Sequence, residues 1–423
     1  MKTTAERPRF GGAGVVDEVW VDGAAPSLTP IRAQPSVWLR RSIETVRPYR
    51  MAILAYLGTR ALLLLVAIVN GVNDHSVLNQ FTHWDGIWYA KLADHGYPRY
   101  VAHSPTTLGF FPLYPIVIWA LGHVVVWGTA DSLMRGIQYA GVFVSVAGGL
   151  LATVLVQKLA TGWWEEASGR RAAVLFAVFP GSVVFSMVYA EGIFIPLAIG
   201  TILALERRRW LIAGVLAGFA CATEPEALIL VLVCAVSAGL ELRRRGWREP
   251  AARRSLLAPL LSVTGGVALL SYLWAWTGSP FATAIAQRDG WHEHTDPLAL
   301  VHLVTRLSSQ ISFTHFNHPT INLNLVSGLL GVIALFAMLA LMWRSRREMS
   351  VEAIIWTLGI SFVALTAAYP FSANPRVLIT AFPAVMVLGR YVSGRRFVLL
   401  AVTSCAGLAG LGLLTFVGKT LRP

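Results

Sequence analysis

Apolar runs long enough to cross roughly 30 Å of hydrocarbon recur from Met51 almost to the end of the 423-residue chain, and that recurrence leaves few folds open. Runs at 51–71, 137–157, 172–188, 191–206, 211–223, 225–242, 255–276, 321–343, 352–370, 376–390 and 396–417 predict an all-α polytopic membrane protein of about 11 transmembrane helices. Composition agrees: hydrophobic residues make up 55%, charged residues 13%, and mean hydropathy is +0.60, against roughly 25% charge in a soluble domain. Several runs fall short of about 17 residues, so broken or tilted segments are expected there. Residues 1–50 divide into a Gly-, Pro- and charge-rich stretch, expected to be a disordered cytoplasmic tail, and a pre-membrane segment. The transmembrane domain is expected over 51–423. No apolar core of a cleavable signal lies within the first 30 residues.

A net charge of +13 raises the prospect of nucleic acid, but the placement of the positive charges excludes that partner. They concentrate in the tail and in short loops near 158–171, 207–209, 243–254, 344–347 and 390–396, which hold 26 of the 35 Lys and Arg. These loops share one side of the membrane only if the run 109–128 does not span. Pro112 and Pro115 fit that run to a short interfacial helix. The positive-inside rule then sets the N-terminus in the cytoplasm and loops 72–136 and 277–320 outside, with the plasma (inner) membrane as the location. Cys221, Cys234 and Cys405 all lie in apolar runs and give neither a disulfide framework nor a zinc spacing.

The first outer loop is the chemically unusual segment. From Phe81 to Pro115 it gathers Trp84, Trp88, Tyr89, Tyr97, Phe110, Phe111 and Tyr114 around two acids, Asp85 and Asp94. Aromatic rings at that density belong at a membrane–water interface, and an acid among them is placed to do chemistry there. On residues alone, Asp85 caps an interfacial helix or serves as a general base. Glu191 and Arg376 stand at the outer ends of spans, where an unpaired charge is costly. They pair with each other, or Glu191 orients a hydroxyl and Arg376 receives a phosphate through its guanidinium fork. Arg60 lies inside the first span and is expected to snorkel or to find a neighbour. In Trp291-His292-Glu293-His294-Thr295-Asp296, the two histidines and Asp296 would share one face of a strand. That offers a metal site or, with His315, Asn317 and His318, a cover over an acceptor site.

The blocks His83-Trp84-Asp85-Gly86-Ile87-Trp88-Tyr89, His95-Gly96-Tyr97-Pro98 and Phe110-Phe111-Pro112-Leu113-Tyr114-Pro115 resemble the signature of the PIG-V family of mannosyltransferases. Tyr189-Ala190-Glu191-Gly192-Ile193-Phe194 and Pro375-Arg376 add to the resemblance. It implies a GT-C-like bundle with interfacial helices in the first outer loop. It also implies an inverting glycosyltransferase acting on the extracytoplasmic face, with polyprenyl-phosphate mannose as donor substrate. Eukaryotic relatives add mannose to the glycosylphosphatidylinositol anchor; here the acceptor would be a cell-envelope glycolipid, glycan or protein. On this reading Asp85 is the catalytic base and Arg376 binds the donor phosphate. His83, Trp84, Trp88, Tyr89, Asp94, His95 and Glu191 are substrate-binding candidates. No cofactor and no metal are needed if arginine supplies the positive charge, and membrane lipids are the remaining partners. One departure stands out: Thr223-Glu224-Pro225-Glu226 carries acids where bacterial relatives tend to have Arg-Pro. Rival readings are a lipid-linked sugar flippase or transporter, a GT-C enzyme for another sugar such as arabinose or glucose, and an inactive relative that scaffolds an envelope complex.

Overall fold

A computed structural model describes residues 44, 46–71, 77–311, 322–368, 373–416 and 421. The expected tail up to residue 43 and the residues His315, Asn317 and His318 lie outside the described residues. A compact unit begins at Pro48, and its described residues are helical apart from turns and one isolated bridge. The helices used below are α1 Arg50–Gly71, α2 Asp85–His95, α3 Leu113–Val125 and α4 Leu133–Trp163. Next come α5 Glu166–Val178, α6 Glu191–Glu206, α7 Trp210–Cys221, α8 Leu228–Arg245 and α9 Pro250–Thr277. The last are α10 Ala299–Ile311, α11 Leu323–Ser345, α12 Val351–Thr366, α13 Pro375–Thr380, α14 Phe382–Tyr391 and α15 Gly394–Phe416.

Among the described residues, six helices are long and apolar enough to cross a membrane, and a bent pair makes a seventh candidate. Their outward faces carry bare apolar side chains such as Leu54, Phe143, Leu260 and Leu399, surface that only hydrocarbon would cover. The chain is therefore a multi-pass membrane protein. The expected number of about 11 spans is not reached on length among the described residues, because α7 and α12 are shorter apolar helices of 12 and 16 residues. At 1.5 Å per residue, α3 is about 20 Å long, which suits the interfacial helix expected for 109–128.

Two expected spans need correcting, and 376–390 is one of them: it divides at Ala381 into α13 of 6 residues and α14 of 10. Residues 172–188 do not form a helix across the bilayer. Helix α5 stops at Val178 ahead of Pro180, a 3-10 segment Pro180–Ser186 follows, and α6 leaves it at 114°. Hydropathy cannot register this break, because the broken stretch is apolar throughout and fully enclosed: Val183, Val184, Phe185, Met187 and Val188 are all 0% exposed. Arg60 holds the broken segment in place. Its guanidinium donates to the Ser182 carbonyl (2.7 Å), Ser182 Oγ (3.0 Å) and Ser186 Oγ (2.8 Å), and it lies 4.8 Å from the Tyr56 ring centroid. Of the two fates expected for this arginine, the structure shows the neighbour and not the snorkel.

Two glycine contacts fix where the break delivers its neighbours. A Cβ on Gly148 of α4 would lie 1.7 Å from the Gly192 carbonyl oxygen, so α4 and the start of α6 touch backbone to backbone. A Cβ on Gly181 would lie 1.9 Å from the Pro375 carbonyl oxygen, so the 3-10 segment touches the start of α13 in the same way. Glu191 and Arg376 each sit one residue from these contacts. The main core lies between these elements, with Phe176, Phe185, Phe194, Trp356 and Phe382 almost fully enclosed.

Candidate active site

Three helix starts converge. Asp85 opens α2, Glu191 opens α6 and Arg376 is the second residue of α13. Local sequence explains each start. Trp84 ahead of α2 holds φ +59, uncommon for a bulky residue, and turns the chain into the helix at Asp85. Asn374 caps α13, its Oδ1 accepting from the Val377 amide at 2.9 Å, and Pro375 sets the first helical φ. The start of α2 is fastened to the broken segment: the Val188 amide donates to the Phe81 carbonyl (2.9 Å), and the Asp85 amide to the Tyr189 hydroxyl (3.3 Å).

The Arg376 guanidinium joins both acids, NH1 donating to Asp85 Oδ2 and Nε to Glu191 Oε1. Its carbon lies 4.7 Å from the Tyr189 ring centroid. Glu191 is almost enclosed, with a side chain 5% exposed, whereas Asp85 at 29% and Arg376 at 23% open onto a cavity of about 120 Å³. Asp85 is thus not a helix cap; its carboxylate faces an arginine 291 residues away in sequence.

The cavity walls also include Tyr89, Phe110, Phe194, Glu224, Glu226, Gln287, Trp291, Glu293 and Asn374. Of the predicted residues, Asp85, Tyr89, Glu191 and Arg376 line it. His83, Trp84, Trp88, Asp94 and His95 are not among the lining residues. Trp88 supports the wall from behind, 4.9 Å from the Trp291 ring and 6.3 Å from Phe110. Asp94 sits near the far end of α2 and pairs with exposed His95 at 3.3 Å.

The turn that departs from the family pattern lies in this wall. The Tyr89 hydroxyl donates to Glu224 Oε1 at 2.7 Å. Burial, and then the nearby charge of Glu226, push the Glu224 carboxyl well above the ordinary carboxylate range. Sequence reasoning noticed these acids but not their destination. It missed Glu293, Gln287 and Asn374 altogether. The alternation in 291–296 held the signal: Trp291 and Glu293 face the cavity, the opposite set from His292, His294 and Asp296. His294 Nδ1 meets its own segment's His292 carbonyl (3.0 Å), and Asp296 pairs with His302 (2.7 Å). Among the described residues, no group of three or more His, Cys, Asp or Glu is arranged to hold a metal ion.

Beside the cavity runs an apolar groove of about 800 Å³. Leu92 and Tyr97 line it from the α2 side, Ile116 from α3, Phe219 from α7, and Leu261 and Leu269 from α9. The roof is stitched from two segments far apart in sequence. Gln287 donates to the Gly109 carbonyl (3.1 Å), Trp276 to the Tyr97 carbonyl (3.0 Å), and His103 meets Asp289 at 2.7 Å.

No curated protein sequence matches the chain. Among solved structures, the Archaeoglobus fulgidus oligosaccharyltransferase tethered to an acceptor peptide is 12% identical with a TM-score of 0.48, over 90% of this chain and 56% of that one. The archaeal oligosaccharyltransferase AglB from the same organism, in complex with an inhibitory peptide and a dolichol-phosphate, is likewise 12% identical with a TM-score of 0.48, over 89% and 56%. The chain thus spans little more than half the length of these proteins. Residues 51–238 match the family described as Mannosyltransferase (PIG-V). That stretch contains Asp85, Tyr89, Glu191 and Glu224, and over it the chain is similar to the PIG-V mannosyltransferases.

Proposed function

We propose that the protein is a GT-C-type enzyme that moves mannose from a polyprenyl-phosphate carrier to a hydroxyl of a glycolipid, glycan or protein acceptor. The observation that carries this reading is the Arg376 guanidinium, paired with Asp85 on the wall of a cavity beside an apolar groove. The cavity suits the phosphate and sugar, and the groove suits the prenyl chain. Helix α6 runs from Glu191 to the arginine-rich turn at 207–209, about 24 Å away. The positive-inside rule supports an extracytoplasmic cavity.

The pairing of Asp85 with Arg376 orders the events. A donor phosphodiester carries one negative charge, as the Asp85 carboxylate does, and takes its place on the guanidinium fork. Asp85 then turns to the acceptor hydroxyl. The acceptor oxygen attacks the anomeric carbon from the face opposite the phosphate, and its proton passes to Asp85. The bond from the anomeric carbon to the phosphate oxygen breaks, its electron pair leaves on that oxygen, and Arg376 stabilises the polyprenyl phosphate released. Glu191 keeps Arg376 in position throughout.

In liposomes supplied with polyprenyl-phosphate mannose and a membrane lipid extract, Asp85→Asn is expected to abolish labelled product while the protein stays monodisperse. Full transfer by that variant would refute the assignment. Flux of the carrier across the bilayer without a new glycosidic bond would replace the enzyme with a flippase.

A further inference from the structure

The cavity carries more negative charge than its single arginine balances. Asp85 enters from α2, Glu191 from α6, Glu224 and Glu226 from the turn between α7 and α8, and Glu293 from the segment after α9; among the described residues, Arg376 of α13 is the one cation in its lining. A donor phosphate adds another negative charge. Some of the carboxyls must hold protons when it binds, since like charges at these separations cost several kcal/mol in a site with little water.

Glu293 differs from the other four in how it arrives. It belongs to a short extended segment docked on the end of α12: the Ala368 amide donates to the His294 carbonyl (3.1 Å), the Asp296 amide to the Thr366 carbonyl (2.6 Å), and Thr295 bridges Ala367. Just before it, His292 holds φ +56, a left-handed conformation that a non-glycine residue adopts at a cost of about 1–3 kcal/mol and that persists where the surroundings enforce it. The turn sends Glu293 into the cavity and leaves both flanking histidines exposed. Glu293 lines the cavity and is also exposed to water at its mouth. The groups that act on it across the cavity are Glu226, Asp85 and Arg376, with His292 and His294 on its own segment.

We propose that Glu293 is a positioning residue for the donor: its neutral carboxyl admits the phosphate and donates a hydrogen bond to it, and its carboxylate repels it. This rests on the reading of Arg376 as the donor-phosphate site. Desolvation first, and then the charges of Glu226 and Asp85, raise the Glu293 carboxyl to about 7, so the change of state falls within the working pH range of an envelope enzyme. The sign is fixed. Below that midpoint Glu293 is neutral and the donor binds; above it each further unit of pH weakens binding. A sugar phosphodiester does not itself titrate in this range, so the slope belongs to the protein.

The test is equilibrium binding of short-chain polyprenyl-phosphate mannose, without acceptor, to the purified full chain in detergent between pH 6 and 8. If the ionised form excludes the donor, the wild-type Kd rises about tenfold across that range, by linkage to one group of midpoint near 7. Glu293→Gln, neutral at every pH, should hold the low-pH Kd throughout, and Glu293→Asp should keep a slope with a shifted midpoint. A flat wild-type profile, or a Glu293→Gln profile with the wild-type slope, overturns the assignment while leaving the donor site standing. Loss of pH-independent binding in Arg376→Gln shows that the donor site is intact as read. Failure of the wild type to bind the probe at any pH sinks the donor reading itself, and this inference with it. The wild-type slope decides the matter even if a variant does not fold.

Discussion

Arg376→Gln is the perturbation with the most predictable energetic consequence. In the native protein the guanidinium neutralises Glu191, whose side chain is 5% exposed, and Asp85, at 29%. Removing the arginine strands the enclosed carboxylate. Breaking one partner from a buried pair costs about 3–5 kcal/mol. The Asp85 share is small, because water reaches it and screens the loss. The lost contact with the Tyr189 ring adds on the order of 0.5–2 kcal/mol. A total of about 3.5–7 kcal/mol is therefore expected, most of it assigned to Glu191. The assay is a double-mutant cycle read by unfolding in mixed micelles, with Arg376→Gln, Glu191→Gln and the double variant. Glu191→Gln alone leaves Arg376 its bond to Asp85 and costs about 1–3 kcal/mol, as loss of a charged hydrogen bond does. In the double variant no charge is stranded at Glu191, so it should be more stable than Arg376→Gln alone by at least about 1 kcal/mol, within the coupling range of contacting residues. Strict additivity, or an Arg376→Gln cost under about 1 kcal/mol, would refute the claim that Arg376 and Glu191 form a coupled buried pair.

Two further substitutions test how the fold supplies the site. Gly148→Ala sets a methyl group 1.7 Å from the Gly192 carbonyl oxygen, so α4 and α6 must part and carry Glu191 with them; transfer should fall at least about tenfold, since displacements near 1 Å carry penalties of that size or more, and unchanged transfer would show that α6 is not positioned by this contact. Arg60→Met removes the donors to the Ser182 carbonyl and Ser186 Oγ; a loss of about 1–3 kcal/mol is expected for the buried groups left unpaired, with hydrogen exchange rising first in 179–190, and uniform exchange would count against a clamp there.

What could be read in the sequence was what is written locally. Asp85 stands out because nine aromatic residues lie with it between Phe81 and Pro115. Arg376 stands out because it is a charge at the outer end of a span, where an unpaired arginine is costly. The pairing of Asp85 with Arg376 has no local signature, since 291 residues separate them. The break at Pro180 was hidden for a different reason. Hydropathy measures burial preference, and a 3-10 turn enclosed by other helices has the same preference as a span. The segment 291–296 misled through its own alternation: both faces carry polar residues, and two histidines drew attention to the exposed one. Its register was decided by contacts with the end of α12, which period-2 reasoning cannot see.

The arrangement of helix ends helps Asp85 and Glu191, two of the five cavity acids, share the site with Arg376. Helices α2 and α6 both begin there, and each places the positive end of its dipole beside its own first residue, Asp85 or Glu191. Each such end favours an anion by about 0.3–1 kcal/mol, more where partly buried. The carboxylates of the resting site therefore occupy positions already suited to negative charge. Exchanging Asp85 for a phosphate at Arg376 keeps the charge on that arginine constant and asks the helix ends for nothing new. On the proposed reading, the same exchange that seats the donor frees Asp85 from Arg376 to face the acceptor hydroxyl.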